Sequence, residues 1–304
     1  MARRKRKARA SAMLAGIAIL AVGAIVGCSL LKPSQRSEPP AAGHKRRPPS
    51  VVLHSAPPPV TLLPQASSSP TIAPASTASV PPNGPKLAII IDDCGQWLDT
   101  ERGFIALPVP LTLSVLPDVR YTALIQREAA AAGKGVMLHL PMETISGVYP
   151  GPGDVTTEMS DDAVRARVAA DLAQVPLAQG VNNHEGSKAS ADARVMGDVA
   201  DVLVRRGGLF FIDSKTAPNS VAEHVTADAG LPTAARDVFL DNQASVAYTQ
   251  AQLRQAIEIA KRTGSAIAIG HPRPTTLEAV RAMLPEIAAD GVVLVLARDL
   301  TVKN

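Results

Sequence analysis

After Lys86 the chain repeats one arrangement about seven times: a short, mostly apolar run, then a longer stretch with the spacing of an amphipathic helix. The apolar runs are "LAIII" (87–91), "LTLSV" (111–115), "GVMLHL" (135–140), "AQGVNN" (178–183), "GLFFID" (208–213), "SAIAIG" (265–270) and "GVVLVLA" (291–297). Successive side chains of a strand point to opposite faces, so a strand apolar throughout is buried on both. Helix-like segments at 121–133, 160–175, 192–206, 249–264 and 276–289 would cover those faces. The third apolar run is closed by Pro141, and Ser160 followed by two acids reads as a helix N-cap. The pattern predicts an α/β domain with parallel strands, as a closed barrel or an open doubly wound sheet. No Gly-x-Gly-x-x-Gly follows the first strand, which argues against a dinucleotide fold and favours the barrel.

The first 85 residues have a different character. Residues 1–50 carry eleven Lys/Arg and one acid, Glu38, and residues 51–85 carry no charged side chain. The whole chain has 31 Lys/Arg and 27 Asp/Glu, so residues 86–304 hold 20 and 26, a net charge of −6. The basic balance therefore belongs to the N-terminus, and an acidic domain poor in aromatics excludes a nucleic-acid partner. Six Lys/Arg precede the apolar run Ala12–Leu31, which is long enough to cross a bilayer. It reads as an uncleaved signal anchor (residues 1–31), with lipoprotein processing at Cys28 of "IVGC" as the other reading. Both place the remainder outside the inner membrane, in the periplasm. Residues 32–85 hold fourteen of the 26 prolines and read as a disordered linker before a domain at 86–304. Of the two cysteines, Cys28 and Cys94, the second reads as a small buried residue at a strand end.

Chemistry in parallel α/β folds gathers at the C-terminal ends of strands. Asp92 and Asp93 end the first strand, and His139, His184 and His271 each sit at or just past a strand end, as does Asp213. Glu143 belongs to the same face, whereas His224 lies in the helix-like "SVAEHVTADAG" as ordinary surface. Two adjacent carboxylates repel, and burying them unpaired is costly. A divalent cation resolves the conflict: one aspartate binds it with imidazoles, and the other serves as general base. Carboxylate and histidine ligands with an open position suit Zn²⁺ or another first-row ion, and such a site fits hydrolysis of an amide or ester.

Six ordered segments, "IIIDDCG", "LHLPME", "GVNNHEGS", "LFFIDSKT", "RDVFLDN" and "AIGHP", resemble the divergent polysaccharide deacetylases, a branch of the carbohydrate esterase and chitooligosaccharide deacetylase superfamily. The resemblance spans residues 86–298 and implies a distorted (β/α) barrel of about seven strands acting on envelope carbohydrate. It implies Asp92 as base, Asp93 and His139 as metal ligands, and His271 as catalytic acid. Glu143 stands where the superfamily has its second metal histidine, so either Glu143 or His184 completes the ligand set. "NNHEGS" replaces the superfamily's Arg-x-Pro-Tyr segment. Glu143, Asn183 and Asp213 are expected as substrate-binding or supporting residues. The expected function is metal-dependent deacetylation of an N- or O-acetylated envelope glycan. The alternative is an inactive envelope module that binds glycan or a protein partner through the same cleft.

Overall fold

The computed structural model describes residues 83–303. The expected anchor and all but the end of the expected linker lie outside these residues, and among the described residues no helix is long and apolar enough to cross a membrane. The strands are β1 (Lys86–Cys94), β2 (Thr112–Val115), β3 (Gly135–Met142), β4 (Gly180–Glu185), β5 (Phe210–Asp213), β6 (Thr233–Ala235), β7 (Val238–Phe239), β8 (Ser265–Gly270) and β9 (Val293–Val295). Between them run α1 (Leu98–Ile105), α2 (Thr122–Ala131), α3 (Asp161–Gln174), α4 (Ala193–Arg206), α5 (Ala222–Asp228), α6 (Val246–Thr263) and α7 (Pro274–Ala289).

Every ladder is parallel, in the order β6-β5-β4-β3-β2-β1-β8-β7. β1 pairs with β8 along one edge; on its other edge Lys86–Ala88 pair with β9, and Ile90, Ile91 and Cys94 with β2. The two ends of the sheet, β6 and β7, form no ladder with each other but are joined by Arg236 and Asp237. Arg236 N donates to Asp213 O and Asp237 N to Ile267 O, both at 2.9 Å, so this short step bridges β5 and β8. The sheet is thus a curled half-barrel of parallel strands. Parallel strands and curvature agree with the expectation; the count of about seven does not, because β6 and β7 are three and two residues long and too short to show as apolar runs.

The strands bury both faces as their composition requires. Leu87, Ile89 and Ile91 of β1 pack in one large cluster with Phe104, Ile125, Val164, Val195, Leu253 and Val280 of the helices. The alternate residues Ala88 and Ile90 face inward with Met137, Ile212, Ile267 and Ile269, and Ala297 of the 3₁₀ turn Ala297–Leu300 joins them. At about 25 cal/mol per Å² of apolar surface removed from water, these two layers drive the curl. Caps set the helix starts. Ser160 Oγ accepts from Ala163 N at 3.3 Å, and Asp192 Oδ1 accepts from Arg194 N and Val195 N at 2.9 and 3.1 Å. His224 lies on α5 and is exposed.

Candidate functional site

The inward layer of the barrel turns polar at its C-terminal end. Two residues beyond Ile90, Met137, Ile212 and Ile269 stand Asp92, His139, Ser214 and His271. The period of two that packs apolar side chains inside therefore delivers these groups to the top of the same interior. Asp92 and Asp93 both face it because β1 carries an extra residue there: Ile91 pairs with Leu113 but Cys94 with Val115. Asp93 sits in this bulge at φ +55°, a left-handed conformation that aspartate tolerates better than most residues. Cys94 is buried and forms no disulfide among the described residues.

Asp93 Oδ1 lies 2.8 Å from His184 Nδ1 and 3.2 Å from His139 Nε2, and the two nitrogens are 3.1 Å apart. The environment of His139 identifies its proton. Asn182, fully buried, must turn its amide NH₂ toward the Asp92 carboxylate, and it donates to Oδ1 at 2.9 Å and Oδ2 at 3.1 Å. Its oxygen then faces His139 Nδ1 at 2.9 Å and accepts from Ser114 Oγ at 2.5 Å. His139 thus donates from Nδ1 and presents Nε2 to the cluster. Asp93 Oδ1 is buried yet receives no aligned hydrogen bond.

These three atoms fit a small divalent cation. Ligand bonds of ~2.05 Å in a tetrahedral zinc site put ligand atoms ~3.3 Å apart, close to the 2.8–3.2 Å found. Among the described residues this is the one group of His, Cys, Asp or Glu so converged. Without a cation, the cluster recruits a proton: burial lowers the pKa of His139, but Asp92 and Asp93 outweigh it and hold it raised. Asp93 is lowered, since His139 and His184 overcome the effect of burial. Asp92 is raised, chiefly by burial, against the pull of His139, His271 and Asn182.

On the opposite side, His271 Nε2 is 3.9 Å from Asp93 Oδ2. Its Nδ1 meets Asp241 Oδ1 at 2.8 Å, while Asp241 Oδ2 accepts from His271 N at 2.8 Å and Thr276 Oγ1 at 2.7 Å. Burial would lower the pKa of His271, but Asp241, with Asp93 and Asp92, raises it. Asp241 itself is lowered despite burial by its bonds to His271 and Thr276.

The structure brings Asp92, Asp93, His139, His184 and His271 together around one cavity of about 280 Å³, with Asn183, Ser214, Thr216 and Asn242 also on its walls. Glu143 is elsewhere. Its Oε2 accepts from Thr157 N and Oγ1 at 2.8 and 2.7 Å, and its Oε1 from Lys188 Nζ at 2.7 Å, so His184, not Glu143, converges with Asp93 and His139, and Glu143 braces the loop after β3. Asn183 ties β4 to the chain after β5, accepting from Ser214 N at 2.9 Å. Asp213 is fully buried and accepts from Lys215 N and Ser220 Oγ, both at 2.8 Å, with no face toward the cavity. Asn182 and Asp241 went unassigned in the sequence reading. Strand parity could have singled out Asn182, because Val181 packs outward and its neighbour must face inward.

Fold and site together define a curled, half-barrel parallel α/β fold with a carboxylate–histidine cluster at its C-terminal face. The chain belongs to the divergent polysaccharide deacetylase family, whose sequence profile matches residues 89–301. It is 37% identical over 205 residues to an uncharacterized protein of Haemophilus influenzae, covering 67% of this chain and 73% of that one. It is 35% identical over 205 residues to the uncharacterized protein YibQ of Escherichia coli, covering 67% of this chain and 64% of the relative's length. A similar fold occurs in the crystal structure of the uncharacterized protein ATU2773 from Agrobacterium tumefaciens, with TM-score 0.68, 23% identity, and coverage of 72% and 89%.

Proposed function

We propose that this chain is a metal-dependent deacetylase acting on an N- or O-acetylated polysaccharide of the cell envelope. The observation that carries the reading is the convergence of Asp93 Oδ1, His139 Nε2 and His184 Nδ1, with the unbonded Asp93 oxygen among them, between the buried carboxylate of Asp92 and the half-buried His271. Asp93, His139 and His184 would hold a divalent cation, which would supply Lewis acidity toward an acyl carbonyl and lower the pKa of water toward ~7. Asp92, gripped through both oxygens by Asn182, takes the proton of the attacking water. Its raised pKa makes it a better base than an exposed carboxylate. His271, kept protonated by Asp241, gives its proton to the departing amine or alcohol. Residues 1–85 would tether the domain outside the inner membrane, where envelope glycan is the acetylated polymer within reach.

Elemental analysis of the purified protein beside Asp93→Ala and His139→Ala variants, with acetate release measured on N- and O-acetylated glycans, tests this. The expected result is about one divalent ion per chain, lost in both variants, and acetate release abolished by Asp92→Asn. An absence of acetate release with zinc, cobalt, nickel and manganese on every glycan tried would sink it. A second reading is binding without hydrolysis, motivated by "NNHEGS" standing where the superfamily has its Arg-x-Pro-Tyr segment. It predicts glycan binding that survives Asp92→Asn and His271→Ala unchanged.

A further inference from the structure

At the end of the half-barrel opposite the site, below the first residues of β4, β5 and β6, lies a cavity of about 650 Å³. Its floor is apolar, built from Leu203, Leu209, Phe210, Leu231 and Pro232. The end of α4, with Val204 and Gly207, forms one rim, and Arg298, Thr301 and Lys303 of the chain after β9 form the other. Val204 is 46% exposed, and Val302, between Thr301 and Lys303, is 64% exposed. Apolar side chains left in water on both rims of one cavity mark a contact surface.

Charge is unevenly spread over this end. Residues 86–304 carry a net −6. Yet Lys86 at the start of β1, Arg206 at the end of α4, Arg262 in the last turn of α6 and Lys303 are all exposed and have no acidic partner among the described residues. The neighbouring acids are engaged: Asp228 lies 3.3 Å from His224, Asp290 3.9 Å from Lys261, and Asp299 3.8 Å from Arg298. Basic residues at helix C-termini complement the macrodipole, which accounts for Arg206 and Arg262. It does not account for Lys86 and Lys303, which belong to no helix.

The chain enters the domain at the same end. Lys86 N donates to Gly264 O at 2.9 Å and Val293 N to Pro85 O at 2.8 Å, so the arriving segment is fixed beside the starts of β8 and β9.

We propose that this end of the half-barrel rests on the anionic phospholipid surface of the membrane, with its cations on the headgroups and Val204 and Val302 at their apolar border, so that the site opens away from the bilayer. This rests on the reading of residues 1–31 as a membrane anchor. Each Lys or Arg beside an anionic bilayer strengthens adsorption about fivefold. The acidic site does not cancel this attraction: Asp92 is six residues along β1 from Lys86, ~20 Å at ~3.3 Å per residue. That is more than two Debye lengths of ~8 Å. An acidic protein would meet the same cations, but a chain that enters at this face presents it to the bilayer at high effective concentration, which favours lipid.

The test places the full chain in nanodiscs of brominated lipid, which quenches tryptophan only near the bilayer. The native Trp97, the chain's single tryptophan, follows β1 and reports on the far end. In a Trp97→Phe background, Val302→Trp and, separately, Val204→Trp report on the two rims. Discs containing anionic lipid should quench both rim reporters and spare Trp97, zwitterionic discs should quench neither, and about 0.5 M salt should restore the emission. Arg206→Gln with Lys303→Gln should lower the docking equilibrium about 25-fold, at about fivefold for each cation. Equal quenching in both lipids, rim reporters unquenched in anionic discs, or Trp97 quenched as strongly as the rims overturns the proposal. A rim response to added polyglutamate with none to anionic lipid also overturns it, in favour of an acidic protein partner. A chain that stays out of the discs and shows no quenching overturns it together with the anchor. Acetate release is independent of every arm, so the enzyme reading stands or falls separately.

Discussion

Asn182 settles two questions at once: which nitrogen of His139 faces the cluster, and where the Asp92 carboxylate points. Partners that orient a ligand typically contribute 10–100-fold to metal affinity, so Asn182→Ala should weaken zinc binding by about that factor, read by competition with a chromophoric chelator. Unchanged affinity would reduce Asn182 to packing. Asp241 plays the corresponding part for His271. Because its carboxylate raises the His271 pKa, Asp241→Asn should move the alkaline limb of the acetate-release profile to lower pH. The same pair has a signature in stability. A histidine raised in the fold contributes fully below its unfolded value of ~6.5 and loses that contribution as pH rises through the folded value. Asp241→Asn should therefore destabilise more at pH 5.5 than at pH 9, and urea unfolding at the two pH values checks it. The ionisable residues of the site were legible as side chains at strand ends. The amide that organises them was not, because "VNNH" offers two asparagines and only inward parity, fixed by the outward Val181, separates Asn182 from Asn183. Spacing from His139 alone could not decide between Glu143 and His184 as the third member of the cluster, because spacing is not geometry. The strand ends at Met142, and Glu143 turns away to Thr157 and Lys188.

At the scale of elements, the turn between β1 and α1 depends on a residue that contributes no chemistry. Glu101, fully buried in α1, holds three backbone N–H groups that follow the aspartate pair. Removing their acceptor leaves donors the fold cannot otherwise satisfy, at about 1–3 kcal/mol for each one that stays buried. Gly95 is buried while Gln96 and Trp97 reach water, so Glu101→Ala should destabilise by about 2–3 kcal/mol in denaturant unfolding. It should also weaken zinc binding, because the left-handed Asp93 loses the turn that holds it. A loss of stability with zinc affinity intact would separate the turn from the site. The long elements, α3, α4, α6 and α7 with β1, β3 and β8, were readable because their patterns run for many residues. The eight-residue α1 and the short strands β6 and β7 were not. "RDVFLDN" serves position, not burial: it closes the curl between β5 and β8 and delivers Asp241 to His271. Nothing in local periodicity announces such a role.

For the whole domain, the candidate ligands come from three strands: Asp93 from β1, His139 from β3 and His184 from β4, with β2 lying between the first two. A cation there cross-links elements far apart in sequence and absent as a cluster from the unfolded chain, so its binding energy becomes folding energy. With free zinc at a hundred times its Kd, the gain is ~2.7 kcal/mol. At roughly 2–4 °C per kcal/mol for a domain of this size, Tm should rise by about 5–10 °C. The same titration of Asp93→Ala should be flat. The sign with pH follows from the proton that the metal displaces. His139 is raised by Asp92 and Asp93, so protons compete increasingly as pH falls through its folded value, and the zinc-dependent increment should shrink toward acid and be full in alkali. An increment independent of pH, or one retained by Asp93→Ala, would place the stabilising ion at some other site and leave the bulged aspartate pair with a proton as its only cation.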